Sequence, residues 1–264
     1  MCRVSTHDAL RLTFDAEAER YARARPGYPA EAFADLATAI ELGPGSRVLE
    51  IGPGTGQATR DLARTGATIT AVEIGAQLAA RARLELAEFR NVEVVPASFE
   101  EWHLPSERFD VVFAATSWHW VDPEVRVVKA AKALRPGGVL ATLSTHHVAG
   151  GSSAFFAAAQ GCYERWDPAT ERGLVLPQAS EIGPDPEPLP GELFGAPTFH
   201  RYEREVGYST GEYLDLLMTY SGHIQLSEAQ REGLSGCLGD LIEAEYGGRV
   251  VKRYLWELRV VRRR

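Results

Sequence analysis

The feature that most constrains this chain is a repeated switch of hydrophobic period between residues 46 and 145. Short, Val-rich apolar runs alternate there with segments whose apolar residues recur three and four apart. The runs are "SRVLEI" (46–51), "TITAVEI" (68–74), "VEVVPA" (92–97), "FDVVFAAT" (109–116) and "VLATLST" (139–145). They are too short for ordinary helices and bounded by turn formers, so they read as strands buried on both faces. Helical spacing fills the gaps: 57–66 closed by Gly66, 76–88, and 122–134 stopped by "RPGG". Parallel strands need such crossovers, and the pattern predicts an α/β fold with helices on both faces of the sheet.

The flanks extend this frame. "PAEAFADLATAIEL" opens on Pro29 and sets Phe33, Leu36, Ala37 and Ile40 on one helical face ahead of the first strand. "GSSAFFAAAQGCYERW" reads as a helix, and the six prolines between 177 and 198 mark a loop. A strand is expected over 198–209, helices over 210–219 and 227–245, and a last strand over 250–261 with Tyr254, Trp256, Leu258 and Val260 on one face. With 264 residues, 45% of them hydrophobic, and no internal repeat, a single core suffices. The expected organisation is one Rossmann-like domain with a seven-stranded, mostly parallel sheet. Residues 1–45 give N-terminal helices and 46–148 the ligand-binding core. Residues 149–264 give a helical lid, the loop and two final antiparallel strands.

Charge narrows the partners. A net charge of -8 disfavours nucleic acid and anionic membrane surfaces, which reward clustered Lys and Arg, and points to a small molecule. The basic run Arg262 to Arg264 reads as a solvated tail. Cys2, Cys162 and Cys237 are odd in number and far apart, so no disulfide framework and no metal site are expected, and a reducing cytoplasm is the simplest compartment. The first residues are interrupted by charge before a signal-type apolar stretch forms, and no run is long enough to span a bilayer. The oligomeric state is left open.

The chemistry gathers at "VLEIGPGTGQAT" (48–59). In open parallel sheets ligands lie beyond the carboxyl ends of the strands, where the strand order reverses. Gly52, Gly54 and Gly56 follow the first strand, and Glu73 ends the second, where a carboxylate can accept from both hydroxyls of a ribose. The dinucleotide fingerprint wants a small residue where Gln57 stands, so the loop suits a nucleoside whose tail carries no phosphate. Glu50 is placed to accept from an ammonium group.

These residues resemble the class I S-adenosyl-L-methionine-dependent methyltransferases, in particular the small-molecule group that includes trans-aconitate-type enzymes. The resemblance rests on "VLEIGPGTGQ", "TAVEIG", "VPASFEEW", "FDVVFAATSWHWVD" and "LRPGGVLA", in order, and reaches "FDAEAERYARARPGYP". It implies that Gly52, Gly54, Gly56 and Gln57 pass close to the methionine part of the cofactor. Glu50 would then lie near the amino group directly or through water, Glu73 on the ribose and Ile74 on the adenine. Ser98 and Phe99 would meet the adenine edge, although Ser98 stands where the family often has Asp. Thr116 would line the floor beside the sulfonium.

For the acceptor, His119 in "SWHW" (117–120) could act as a base or merely wall the pocket beside Trp118 and Trp120. His146 and His147 approach the same edge, without the carboxylate or cysteine a metal would need. Tyr21, Arg25 and Tyr28 are the most chemically loaded residues of the N-terminal segment, and Arg25 could fork onto a carboxylate. Tyr220, Ser221 and His223 are candidates from the lid. Two rivals stay open: a non-catalytic binder of the same cofactor, and a nicotinamide-dependent oxidoreductase, against which Gln57 and the lack of a Tyr-x-x-x-Lys both count.

Overall fold

In the computed structural model, which describes residues 15–167 and 169–264, the five apolar runs become strands. They are β1 (Arg47–Ile51), β2 (Thr68–Glu73), β3 (Val92–Pro96), β4 (Phe109–Ala115) and β5 (Leu134–Val148), all parallel. The late strands are β6 (Thr198–Ser209) and β7 (Arg249–Arg262), and the sheet order is β3-β2-β1-β4-β5-β7-β6. Only β7 runs against the rest: it pairs antiparallel with both β5 and β6, so β6 points the same way as the first five. Residues 1–14 of the N-terminal stretch, Cys2 among them, lie outside the described residues.

Helices cover both faces. Ahead of the sheet stand α1 (Ala18–Ala24) and α2 (Ala30–Ile40). The crossovers carry α3 (Gln57–Ala63), α4 (Ala76–Glu85) and α5 (Pro123–Ala133). Local chemistry sets their ends. Asp122 accepts from the Glu124 N–H at 2.9 Å and Pro123 fills the first turn of α5, where its missing N–H costs nothing. On α2, Ala32, Phe33 and Leu36 are buried, whereas Ala37 and Ile40 are only half-buried.

Four further helices form a cap: α6 (Ser153–Trp166), α7 (Thr210–Leu217), α8 (Ser221–Ile224) and α9 (Glu228–Tyr246). Capping boxes start α7 at Ser209 and α9 at Ser227. Here one expectation is overturned: Cys162 on α6 and Cys237 on α9 form a disulfide. The reading from cysteine count failed because 75 residues separate the pair in sequence, while the packing of α6 on α9 brings them together.

β7 is buried on both faces, not one. Tyr254, Trp256 and Leu258 face one layer, and Glu257 and Arg259 the other. The charges on the second face are paired: Glu257 accepts from Arg201 at 2.8 Å and from the Asp185 N–H at 3.0 Å, and Arg259 donates to the Glu187 carbonyl at 2.7 Å. The proline-rich segment is therefore loop, as expected, but loop clamped onto the sheet. Its Glu187 also holds Trp118 Nε1 at 2.5 Å and Arg126 Nε at 2.6 Å.

Candidate active site

The strand order reverses between β1 and β4, and the two strand ends are fastened there. Gly52, Gly54 and Gly56 have φ of 65°, 58° and 92°, in the region that L side chains avoid. At Gly52 a Cβ would lie 2.7 Å from Ser117 Cβ, so the loop can only pass with no side chain. Ser117 donates to the Ile51 carbonyl, tying the end of β4 to that of β1. Thr116 itself has φ 52°, a rare state for a β-branched residue, and such strain persists where the surroundings over-determine it. Its hydroxyl is 2.7 Å from that of Tyr28, and its N–H donates to the Leu143 carbonyl at 2.8 Å.

Glu73 organises the loop from β2. Its two carboxylate oxygens accept from the Gly54 and Gly75 N–H groups, each at 2.9 Å. Glu50, 1% exposed, lies beneath the loop and does not line the cavity; burial, with the Glu73 charge adding, pushes its carboxyl up to about 8. Three buried polar atoms of the 50–59 stretch have no close partner among the described residues: Glu50 Oε2, Gln57 Nε2, a donor, and the Thr59 hydroxyl, which sits near enough to Glu50 to oppose the rise of its carboxyl. Gln57 Oε1 accepts from Thr55, which turns that donor to the cavity wall.

A cavity of about 750 Å³ runs from this loop to the cap. It is within the usual range for small-molecule sites, roughly 300–1,000 Å³. Of the residues singled out in the sequence, Tyr21, Arg25, Tyr28, Gly52, Gly54, Gln57, Glu73, Ile74, Phe99, Thr116, His119 and Trp120 line it, as do His147, Tyr220, Ser221 and His223. Gly56 does not: it begins α3, and a Cβ there would meet Leu86 at 2.8 Å, so its smallness serves packing. Ser98 turns to Glu100 at 2.7 Å, and Ala97 faces the cavity in its place. Trp118 is buried against Arg126 and Glu187. His146 points to the other side of β5, 3.1 Å from Ser144 Oγ, while the alternate residue His147 faces inward.

Arg25 is less free than its exposed-looking sequence context suggests. Its Nε donates to Thr219 Oγ1 at 2.9 Å and its Nη2 to the Thr219 carbonyl at 2.7 Å, so the Nε/Nη2 edge of the fork is already used. The guanidinium lies over the rings of Tyr21 and Tyr220, 4.9 and 4.4 Å from their centroids, stapling α1 to the cap. Tyr21 in turn sits 3.5 Å from where a Gly54 Cβ would be.

The far half of the cavity was not read from the sequence. Phe156, Gln160 and Tyr163 come from α6, Tyr213 from α7, and Lys252, Tyr254 and Trp256 from β7. A signal existed for the last three: alternate residues of one strand share a face, and a lysine among aromatics on such a face calls for an explanation. Lys252 is 4% exposed; Tyr163 OH is 3.1 Å from His223 Nε2, and Tyr208 OH 3.0 Å from Tyr254 OH. His147, edge-on to Phe156, has an unpartnered Nε2, and burial, with Lys252 adding, pulls its titration down to about 3. No group of three or more His, Cys, Asp or Glu able to hold a metal occurs among the described residues. No helix among them is long and apolar enough to cross a membrane.

Comparison with known proteins bears on this arrangement. Residues 49–142 match the family described as "Methyltransferase domain". An uncharacterized methyltransferase of Mycobacterium tuberculosis is 34% identical over 131 residues, which cover 50% of this chain and 51% of that protein. A malonyl-[acyl-carrier protein] O-methyltransferase of Enterobacter lignolyticus is 36% identical over 97 residues, 36% of this chain and 38% of the relative. The chain thus matches only about half, or less, of the length of these curated relatives. Among solved structures, a putative type II methyltransferase from Anaeromyxobacter dehalogenans superposes with a TM-score of 0.60 at 22% identity, covering 89% of this chain and 97% of that one, a likeness of fold.

Proposed function

We infer that this chain, which carries a class I S-adenosyl-L-methionine-dependent methyltransferase domain, transfers a methyl group from that donor to a small organic acceptor. The observation that carries this reading is the cavity joining the glycine loop to the aromatic cap, which gives donor and acceptor one shared space. Methyl transfer from a sulfonium is an in-line displacement in which charge is lost, so alignment and exclusion of water supply much of the acceleration.

The residues present fit the donor. The Glu73 carboxylate, at the loop and on the cavity wall, would meet ribose hydroxyls, and Gln57 Nε2 is a buried donor without a partner among the described residues. The donor would supply an electrophilic methyl carbon on positive sulfur. Against it the chain sets Gly52 and Gly54 as a close-packed wall, Ile74 and Phe99 as apolar cover for a base, and the Thr116–Tyr28 pair as a floor. Ala97 takes the wall position expected of Ser98. Tyr21, Arg25, Trp120 and His119 close the cavity between loop and cap and would meet the acceptor.

The cap favours an enclosed small molecule over a nucleic acid or membrane lipid surface, in keeping with the net charge of -8. A cytoplasmic site of action, expected from the sequence, requires that the fold survive loss of the Cys162–Cys237 bond in a reducing milieu. Calorimetric titration with S-adenosylhomocysteine and, separately, with nicotinamide dinucleotides tests the reading. Binding of S-adenosylhomocysteine alone, weakened in Glu73→Ala, is expected; binding of a dinucleotide instead would replace methyl transfer with hydride chemistry.

A further inference from the structure

The cap contains a charge arrangement that methyl-donor binding does not explain. Tyr220, the residue preceding α8, lines the cavity with its phenol between two cations. Lys252 Nζ donates to its hydroxyl at 3.3 Å and lies 5.1 Å from its ring centroid; Arg25 lies over the same ring at 4.4 Å. Among the described residues no carboxylate forms an ion pair with Lys252 or Arg25, although Lys252 is buried and Arg25 is pinned by Thr219. A buried cation without an anion is costly, and here the nearest oxygen able to become one is the Tyr220 phenol. The site is also near the chemistry: Arg25 touches both Tyr220 and Tyr21, and Tyr21 abuts Gly54.

We propose that Tyr220, held between Lys252 and Arg25, is the general base of the methyl transfer, and that the acceptor it serves reacts through a hydroxyl group. The proposal rests on the reading that the glycine-loop end of the cavity holds the methyl donor. Tyr220 as phenolate takes the proton of the acceptor O–H. The freed oxygen pair forms the new O–C bond while the C–S bond breaks, its electrons staying on sulfur as a neutral thioether. Lys252 then holds a neutral phenol, which returns its proton to solvent as product leaves.

The surroundings leave Tyr220 as the group to titrate. Burial opposes its ionisation, but the charges of Lys252 and Arg25, with hydrogen bonds from Tyr254 and Lys252, outweigh it and lower its titration below the ordinary phenol value. Neighbouring phenols and imidazoles are shifted away from ionisation. Burial raises Tyr254 and Tyr213, and pushes Tyr208 up to about 12. Burial also raises Tyr163 on α6, and pulls His223 on α8 down to about 4 and His147 on β5 down to about 3. Asp167, past the end of α6, spends its carboxylate on the Ala169 N–H and Thr170 hydroxyl.

Ultraviolet difference titration of tyrosinate reads the proposal without a known acceptor. The wild type should show one tyrosine ionising below the ordinary value of about 10. That step should vanish in Tyr220→Phe, move upward in Lys252→Met and persist in Lys252→Arg, with thermal melts confirming that each variant folds. In the presence of labelled donor, naphthol, naphthoate and naphthylamine are compared as probes. Methylation of naphthol should fall about 10²–10⁴-fold in kcat in Tyr220→Phe, the usual span for a lost base, while S-adenosylhomocysteine affinity is kept. Absence of the low-titrating tyrosine, its survival in Tyr220→Phe, or preference for naphthoate or naphthylamine would each overturn the proposal. Failure to bind S-adenosylhomocysteine would instead overturn the methyl-donor reading, and the tyrosinate titration would still judge Tyr220.

Discussion

Replacing Glu50 by Gln should strengthen the empty protein and weaken its grip on the donor, and the two effects have opposite sign for one reason. Glu50 is fully buried beneath the glycine loop, and its carboxyl titrates at about 8 against an ordinary value of 4.5, through burial first and the Glu73 charge in addition. Below pH 4.5 both folded and unfolded chains carry the proton and Glu50 costs nothing through ionisation. As pH rises from 4.5 the unfolded chain ionises while the folded one stays protonated, so stability falls continuously until the folded group also ionises near 8. At pH 7 the accumulated penalty is about 3 kcal/mol, of which about 2 kcal/mol builds up between pH 5 and pH 7. Gln cannot ionise, but its buried amide forfeits hydrogen bonds worth roughly 1–3 kcal/mol, so the net gain at pH 7 is modest.

The pH slope is therefore the sharper readout. Denaturant unfolding of the two proteins at pH 5 and pH 7 should show Glu50→Gln losing about 2 kcal/mol less than the wild type over that interval. Parallel pH dependences would refute the assignment of a raised carboxyl. Binding supplies the second half. An ammonium brought near Glu50 favours its ionised form, so S-adenosylhomocysteine binding at pH 7 should release close to one proton, read from calorimetry in buffers of different ionisation enthalpy. The variant should release none and bind about tenfold more weakly or worse. Proton release that is unchanged in the variant would place the linkage elsewhere.

The two remaining predictions concern the loop and the cap. Gly52→Ala introduces a Cβ at φ 65° and 2.7 Å from Ser117 Cβ, so it should cost at least about 1–2 kcal/mol and abolish measurable S-adenosylhomocysteine binding, whereas an unchanged affinity would mean that this close approach does not shape the site. Reducing the Cys162–Cys237 bond opens a cross-link spanning 75 residues, whose loop-closure contribution is about 4 kcal/mol, so the unfolding midpoint should fall by about 10 °C, and equal midpoints with and without reductant would show the bond to be dispensable.

What the sequence revealed and what it hid divide along a physical line. Periodicity is a property of neighbours, so the five parallel strands, their crossover helices and the loop from Gly52 to Gly56 were legible, except that β5 begins at Leu134 and runs through the 135–138 stretch expected to turn. The strands of the core carry cavity-facing residues at their carboxyl ends, which is why Glu73 and Thr116 were found from local motifs, while Tyr28 reaches the same wall from the segment between α1 and α2. The cap is different. Its contacts join residues tens of positions apart: Arg25 to Thr219, Tyr163 to His223, Cys162 to Cys237, Lys252 to Tyr220. No local pattern announces such a pair, and the cysteine count actively misled.

The same division explains where the sequence reading placed the wrong side chain at a correct position in the chain. Ser98 and His146 each lie one residue from a cavity-lining neighbour, Ala97 and His147. In an extended segment that single step reverses the face. At β5 the step decides between a histidine bonded to Ser144 on the far side and one set edge-on to Phe156 inside the cap. Lys252 obeys the same parity with Tyr254 and Trp256, so it enters the aromatic chamber because β7 alternates. It meets Tyr220 there because the chain at the start of α8 closes over it. The glycine-loop wall of the cavity thus belongs to the part of the molecule that local pattern specifies, and the cap wall to the part built by long-range closure.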